Sequence, residues 1–145
     1  MPLMPTLESL LKDSNLAGKA QAVDKDLVRF QWGSAFVLVG ISGSAIVAIA
    51  PMFRQPPHEK HSVFLRKLLE HNAYMGGMAS FAIQPDGWVI LHAGRPIKGM
   101  DSGEFATMVA GVGRFADQFD DTLIAEFYVD QPEATNQVRH AEPTD

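Results

Sequence analysis

The chain has no cysteine among its 145 residues. That excludes a disulfide framework and thiol chemistry. Basic residues are also scarce: 12 Lys and Arg against 17 Asp and Glu give a net charge of −5 and a pI near 5.4. Phosphate binding needs a basic surface, so nucleic acid is not expected as the main partner. No apolar run reaches the ~20 residues that span a bilayer, so no membrane insertion is expected. The opening MPLMPTLESLLKD lacks the basic region and long apolar segment of a signal peptide, and the expected location is the cytoplasm. There is no G-x-x-x-x-G-K; Gly40 and Gly43 fall in a hairpin, with no helix start behind them. Ser34, Ser42, Ser44 and Ser80 lack a nucleophile-elbow context. These absences predict no catalytic residue, no enzyme activity and no cofactor.

What the chain does have is two strand-like runs almost free of polar residues. Ala35 to Ile41 reads AFVLVGI and Ala45 to Phe53 reads AIVAIAPMF. Ser42-Gly43-Ser44 between them reads as a hairpin turn. An antiparallel sheet with one wet face alternates apolar and polar residues, and these runs do not. Both faces are therefore expected to meet apolar matter: the chain's own helices on one, and in part a second subunit or bound polypeptide on the other. That pattern points to a binding protein.

The remaining elements follow from periodicity. Thr6 is suited to cap a short helix carrying Leu7, Leu10 and Leu11 on one face, fading near Gly18. Leu27 to Trp32 alternates as a first strand, with Val28, Phe30 and Trp32 on one side. Pro51 marks a strand end or a sheet edge. A second helix spans roughly Glu59 to Tyr74, with Phe64, Leu65, Leu68 and Leu69 as its stripe and Gly76-Gly77 as its stop. Met78 to Ile83 and Trp88 to Ala93 flank a Pro85-Asp86-Gly87 turn. Asp101 with Glu104 opens a third helix carrying Phe105, Met108, Val109, Val112, Phe115, Ala116 and Phe119 at spacings of three and four. Gly111 and Gly113 weaken that helix and suggest close approach to a neighbour. The expected architecture is α+β, in the order α-β-β-β-α-β-β-α, with a five-stranded antiparallel sheet. One domain spans 1–129, and 130–145 is expected to be a disordered polar tail.

Few residues suggest chemistry. His58 and His61 frame H-E-K-H, which is not the zinc motif H-E-x-x-H, and no third ligand accompanies them, so no metal site is expected. His71 and His92 are isolated. Asp117, Asp120, Asp121 and Glu126 read as a solvated helix face.

The stretch LLEHNAYMGGMASFAIQPDGWVILHAGRPIKGMDSGEF, Leu68 to Phe105, resembles the type III secretion chaperones of the Tir chaperone type and their YbjN-like relatives. The shared features are Leu68-Leu69 with Asn72, the glycine-led strand after Gly77, the Asp86-Gly87 hairpin, and Pro96-Ile97-Lys98-Gly99-Met100 before the last helix. The resemblance covers roughly residues 6 to 127; the polar tail after Tyr128 has no clear counterpart. It implies a small, acidic, homodimeric chaperone without ATPase activity that holds the N-terminal part of a secreted effector in extended form. Its cargo would occupy a groove between the first helix and the sheet, expected at Leu7, Leu10, Leu11, Val28, Phe30, Trp32, Val37 and Val39. The dimer interface is expected on the second helix and last hairpin, at Phe64, Leu68, Met78, Phe81 and Ile83. The alternative implied by the YbjN-like relatives is a non-enzymatic signalling or assembly adaptor with a protein partner.

Overall fold

The computed structural model describes residues 5–14 and 16–128. Its helices are α1 (Leu7–Asp13), α2 (His61–Met75) and α3 (Ser102–Phe127). Its strands are β1 (Ala20–Asp24), β2 (Leu27–Trp32), β3 (Ala35–Ser42), β4 (Ala45–Arg54), β5 (Ser80–Ile83) and β6 (Trp88–Pro96). They form one six-stranded sheet in the order β1-β2-β3-β4-β6-β5, antiparallel at every pairing. The fold class is the α+β expected, with one strand more. The extra strand is β1, whose AQAVD sequence is short and mostly exposed, so it carries no strong apolar alternation. It pairs back on β2 through a tight turn in which the Asp26 amide donates to the Asp24 carboxylate at 2.7 Å. The region expected from 130 onward lies outside the described residues.

Two caps read from the sequence are present. Thr6 accepts from the Ser9 amide at 3.0 Å, and Ser9 Oγ accepts from the Thr6 amide at 2.9 Å, closing a capping box on α1. Asp101 accepts from the Glu104 amide at 2.7 Å at the start of α3. The first helix ends earlier than expected, at Asp13, and a 3-10 turn at Ala17–Lys19 leads into β1. At the other end of the molecule, Lys60 Nζ donates to the Phe127 carbonyl at 3.0 Å and satisfies part of the α3 C-terminus.

The apolar strands alternate in burial although not in chemistry. Along β4, Ile46, Ala48, Ala50 and Met52 are buried, while Val47, Ile49 and Pro51 are half-buried. The register aligns Val28, Val39, Ala48 and Ala93 in one row on the buried face. On that face α3 runs across β2, β3, β4 and β6, α2 lies beside β5, and α1 contributes Leu7 and Leu10 to the same core. Pro51 needs a correction: β4 is a central strand. The β3–β4 ladder stops at Leu38–Ile49, and the β4–β6 register shifts between Pro51 and Phe53. The missing N–H therefore falls where the ladder is already broken.

The stripe expected on α2 splits in two. Phe64 and Leu68 are buried, whereas Leu65 and Leu69 are exposed, Leu69 to 68%. Helix geometry explains this: Leu65, Leu69 and Asn72 lie at i, i+4 and i+7, on the flank of the buried face. Asn72 uses that position to close the free edge of β5. Its Oδ1 accepts from the Phe81 amide at 2.7 Å and its Nδ2 donates to the Phe81 carbonyl at 3.4 Å. The carboxamide thus stands in for a neighbouring strand, one of the ways proteins blunt a sheet edge. Asn72→Ala should cost about 1–2 kcal/mol in urea unfolding and make the protein associate at lower concentration in light scattering. Unchanged stability and association would show that the edge is guarded elsewhere.

Candidate partner-binding groove

A groove of about 480 Å³ opens between α1 and the β1–β2 hairpin. Leu7, Leu11, Ala22 and Val28 supply apolar lining, and Glu8, Lys12, Asp24 and Lys25 supply its polar residues, two of each sign. The lining is therefore electrically balanced. Beside it, among the described residues, β1 is the last strand of the sheet and is paired on one side alone. An apolar cleft next to an unpaired edge can take an extended chain in two ways at once: side chains into the cleft, and backbone hydrogen bonds onto the edge. The other wall is α1, a helix of seven residues that is too short to persist without its tertiary contacts.

Three residues expected in the groove line it: Leu7, Leu11 and Val28. The others are elsewhere. Leu10, Phe30, Val37 and Val39 are buried in the core and do not line it, and of the three that do, Leu7 and Val28 are themselves largely buried. Trp32 is half-buried; its ring lies against Gly113 of α3, and Lys19 Nζ sits 4.8 Å from its centroid. The residues overlooked are those of β1 and its turn, because the strand itself was not legible. The Asp24-Lys25-Asp26 run between AQAV and Leu27 is the turn signal that could have found it. The expected dimer residues divide similarly. Phe64, Leu68 and Phe81 are buried and Ile83 is half-buried, while Met78 is exposed. The exposed apolar side chains in this region also include Leu65, Leu69 and Tyr74.

The carboxylates of α3 are not all solvated, which corrects the sequence reading. Asp120 is only 3% exposed. Ser34 Oγ, in the β2–β3 turn, lies 2.8 Å from Asp120 Oδ2 and 3.0 Å from Asp117 Oδ1, and the Ser34 amide donates to the same Asp117 oxygen at 3.1 Å. One hydroxyl proton cannot serve both carboxylates. The Ser34 hydroxyl therefore donates to one of them at a time, and Asp117 also holds the Ser34 amide. Burial accordingly pushes the Asp120 carboxyl above the usual range; the neighbouring Asp121 and Asp117 charges add to this, and hydrogen bonds from Ser34 and the Asp121 amide oppose it. A raised acid pKa means that the folded state binds the proton more tightly than the unfolded chain. Stability should therefore fall as pH rises from the ordinary carboxylate range through the raised value. Asp120→Asn should flatten that slope and raise stability at neutral pH. Urea unfolding of both proteins across pH checks this, and an unchanged slope would refute it.

Among the described residues, no group of three His, Cys, Asp or Glu side chains could hold an ion. His61 Nε2 lies 2.7 Å from the Pro56 carbonyl, with the His58 ring edge-on at 5.2 Å. His71 stacks on Phe119 at 4.3 Å, and burial lowers its pKa. Among the described residues no helix is long and apolar enough to cross a membrane.

The family model of the Tir chaperone protein (CesT) family matches residues 6–118, from the cap of α1 into α3. The chain belongs to the Tir chaperone protein family. The matched span includes the α1 groove, the whole sheet and α2. A comparison of the sequence with curated proteins finds no match. Among solved structures, the fold is similar to one in the ExsC–ExsE complex, with a TM-score of 0.60 at 15% identity over 85% of this chain and 97% of that one. The HopA1–SchA chaperone–effector complex contains another, with a TM-score of 0.59 at 11% identity over 79% and 92%. YbjN from E. coli aligns with a TM-score of 0.51 at 14% identity over 90% and 97%. At these identities the likeness is one of fold.

Proposed function

We propose that this Tir chaperone family protein is an ATP-independent, non-enzymatic chaperone of a type III secretion system, binding an extended segment near the N-terminus of a partner protein. The observation that carries this reading is the apolar groove between α1 and β1–β2, beside a free strand edge. Chaperone–effector complexes among the similar folds support it. No cofactor or metal enters the proposal, and the cytoplasm is the proposed location. The test is recovery of the partner from native lysate on wild-type protein and on Leu11→Glu, a change in the groove lining. The expected result is a partner lost on Leu11→Glu while far-UV circular dichroism and Tm stay near wild type. Partner retention by that variant would remove the groove from the reading. Leu10→Glu, in contrast, should lose fold and binding together, because Leu10 is core.

The homodimer belongs to the same proposal, with its surface moved to the exposed side chains Leu65, Leu69 and Met78 beside the β5 edge. Leu69→Glu should give a folded monomer by light scattering. A wild-type monomer at tens of micromolar, or a dimer that survives the change, would sink it. The second reading, an adaptor serving a partner inside the cell, draws on the fold likeness with YbjN. It predicts the same groove dependence with a partner that is not exported.

A further inference from the structure

Three consecutive residues at the β2–β3 turn are docked on one stripe of α3. The Trp32 ring packs on Gly113, where a Cβ would lie 2.6 Å from ring atoms Cγ and Cδ2. Gly33, at φ +59°, turns its bare Cα to Asp117, and a Cβ there would lie 2.5 Å from Asp117 Oδ1. Ser34 gives its amide to the same oxygen at 3.1 Å, and its hydroxyl lies 2.8 Å from Asp120 Oδ2. Positions 113, 117 and 120 stand at i, i+4 and i+7, one face of a helix. This turn is also the root of the β1–β2 hairpin. Ala20, the first residue of β1, pairs with Phe30, and Lys19 just before it sits over the Trp32 ring. The far end of the same hairpin lines the groove with Ala22, Asp24, Lys25 and Val28. What holds the turn on α3 therefore holds one wall of the groove.

We propose that the Trp32-Gly33-Ser34 turn is a proton-operated latch: protonation of Asp120 locks the turn on α3, and ionisation loosens it and with it the β1–β2 wall of the groove. With Asp120 ionised, two neighbouring carboxylates share one hydroxyl proton, one of them buried. Protonation removes both the buried charge and the repulsion. The Ser34 hydroxyl and the Asp121 amide, which donates at 2.6 Å, favour the carboxylate; burial and the charges of Asp121 and Asp117 oppose it. Elements packed on α3, and the turn after α1, bring Glu8, Lys12, Asp13, Lys19, Arg29, Arg54, His92 and Arg95, and none of these acts on Asp120. Among the described residues no cation offsets the pair. The balance pushes the Asp120 carboxyl above the usual range, so the latched state binds the proton more tightly than the open one. By linkage, the proton strengthens the latch by the same factor. The consequence for the groove rests on the function proposed above; the latch itself does not.

The test uses the full chain with no partner. Carboxyl-carbon NMR across pH gives the Asp120 midpoint, and amide hydrogen exchange gives the protection of β1 and β2 over the same range. The midpoint should lie above the ordinary aspartate value of about 3.9. Protection of the β1–β2 amides should fall across the titration, by about tenfold for each unit by which the midpoint exceeds that value. Asp120→Asn should hold the protection at its acid level at every pH. Asp117→Asn removes a like charge and should lower the Asp120 midpoint. An ordinary midpoint would overturn the latch, as would a midpoint that Asp117→Asn leaves in place or the same pH dependence in Asp120→Asn. A raised midpoint with pH-independent protection would show a buried acid with no hold on the hairpin, and would overturn it too. So would an Asp120→Asn protein that circular dichroism finds unfolded, because a neutral group there is what the latch prefers. Failure of the latch leaves the groove reading standing, and a partner retained by Leu11→Glu leaves the latch standing.

Discussion

Phe64→Ala should lower the free energy of unfolding by about 3–5 kcal/mol, the cost of emptying a fully buried aromatic site. Phe64 is fully buried where α2, β4 and the end of α3 meet. Its ring centroid lies 6.2 Å from Phe53, 5.0 Å from Phe127 and 6.4 Å from Tyr128. The Tyr128 hydroxyl donates to the Arg54 carbonyl and ties the same cluster to the end of β4. Domains of this size have about 5–15 kcal/mol in total, so the change leaves a marginal fold. Urea unfolding at two protein concentrations is the measurement. A core role gives the same loss at both. An interface role gives a midpoint that moves with concentration, and a loss below about 1 kcal/mol would place Phe64 outside the core.

Gly113→Ala and Gly111→Ala should change stability in opposite directions, although the two sites are two residues apart on one helix. A Cβ at Gly113 would lie 2.6 Å from both Cγ and Cδ2 of Trp32. Those atoms are at the root of the indole, so relief requires moving the whole ring, and overpacking of this kind costs about 1–3 kcal/mol. At Gly111 the nearest atom is Met78 Cε at 3.7 Å, an ordinary contact. There alanine should add up to about 1 kcal/mol through helix propensity alone. Thermal unfolding gives the sign of each change, and tryptophan emission reports the displaced Trp32. Equal stability of the two variants would show that Trp32 swings aside freely.

The closeness of Trp32 to Gly113 was only half legible. A glycine in a periodic helix signals close approach, but the sequence does not say to what. The third helix itself was readable because Asp101 and the spacing from Phe105 to Phe119 are local signals. The first strand was not, since Ala20–Asp24 is an exposed edge held by its partner rather than by its own composition. The candidate groove was half readable for the same reason: Leu7 and Leu11 announce themselves through helical spacing, but the wall opposite them is that edge strand.

Local chemistry alone settled the α+β class, the two helix caps, the hairpin turns and the family resemblance. Each depends on residues within a few positions of one another, where spacing is geometry. Three things needed the folded chain. Phe64 and Leu68 share their helix with Leu65 and Leu69, and only the placement of α2 beside β5 sorts core from surface. Asp120 looks like its acidic neighbours until Ser34, 86 positions away, closes over it. The apolar strands read alike on both faces, and it is the gathering of all three described helices on one side that tells the two faces apart. Burial is a property of what arrives from elsewhere in the chain, so no window of sequence contains it.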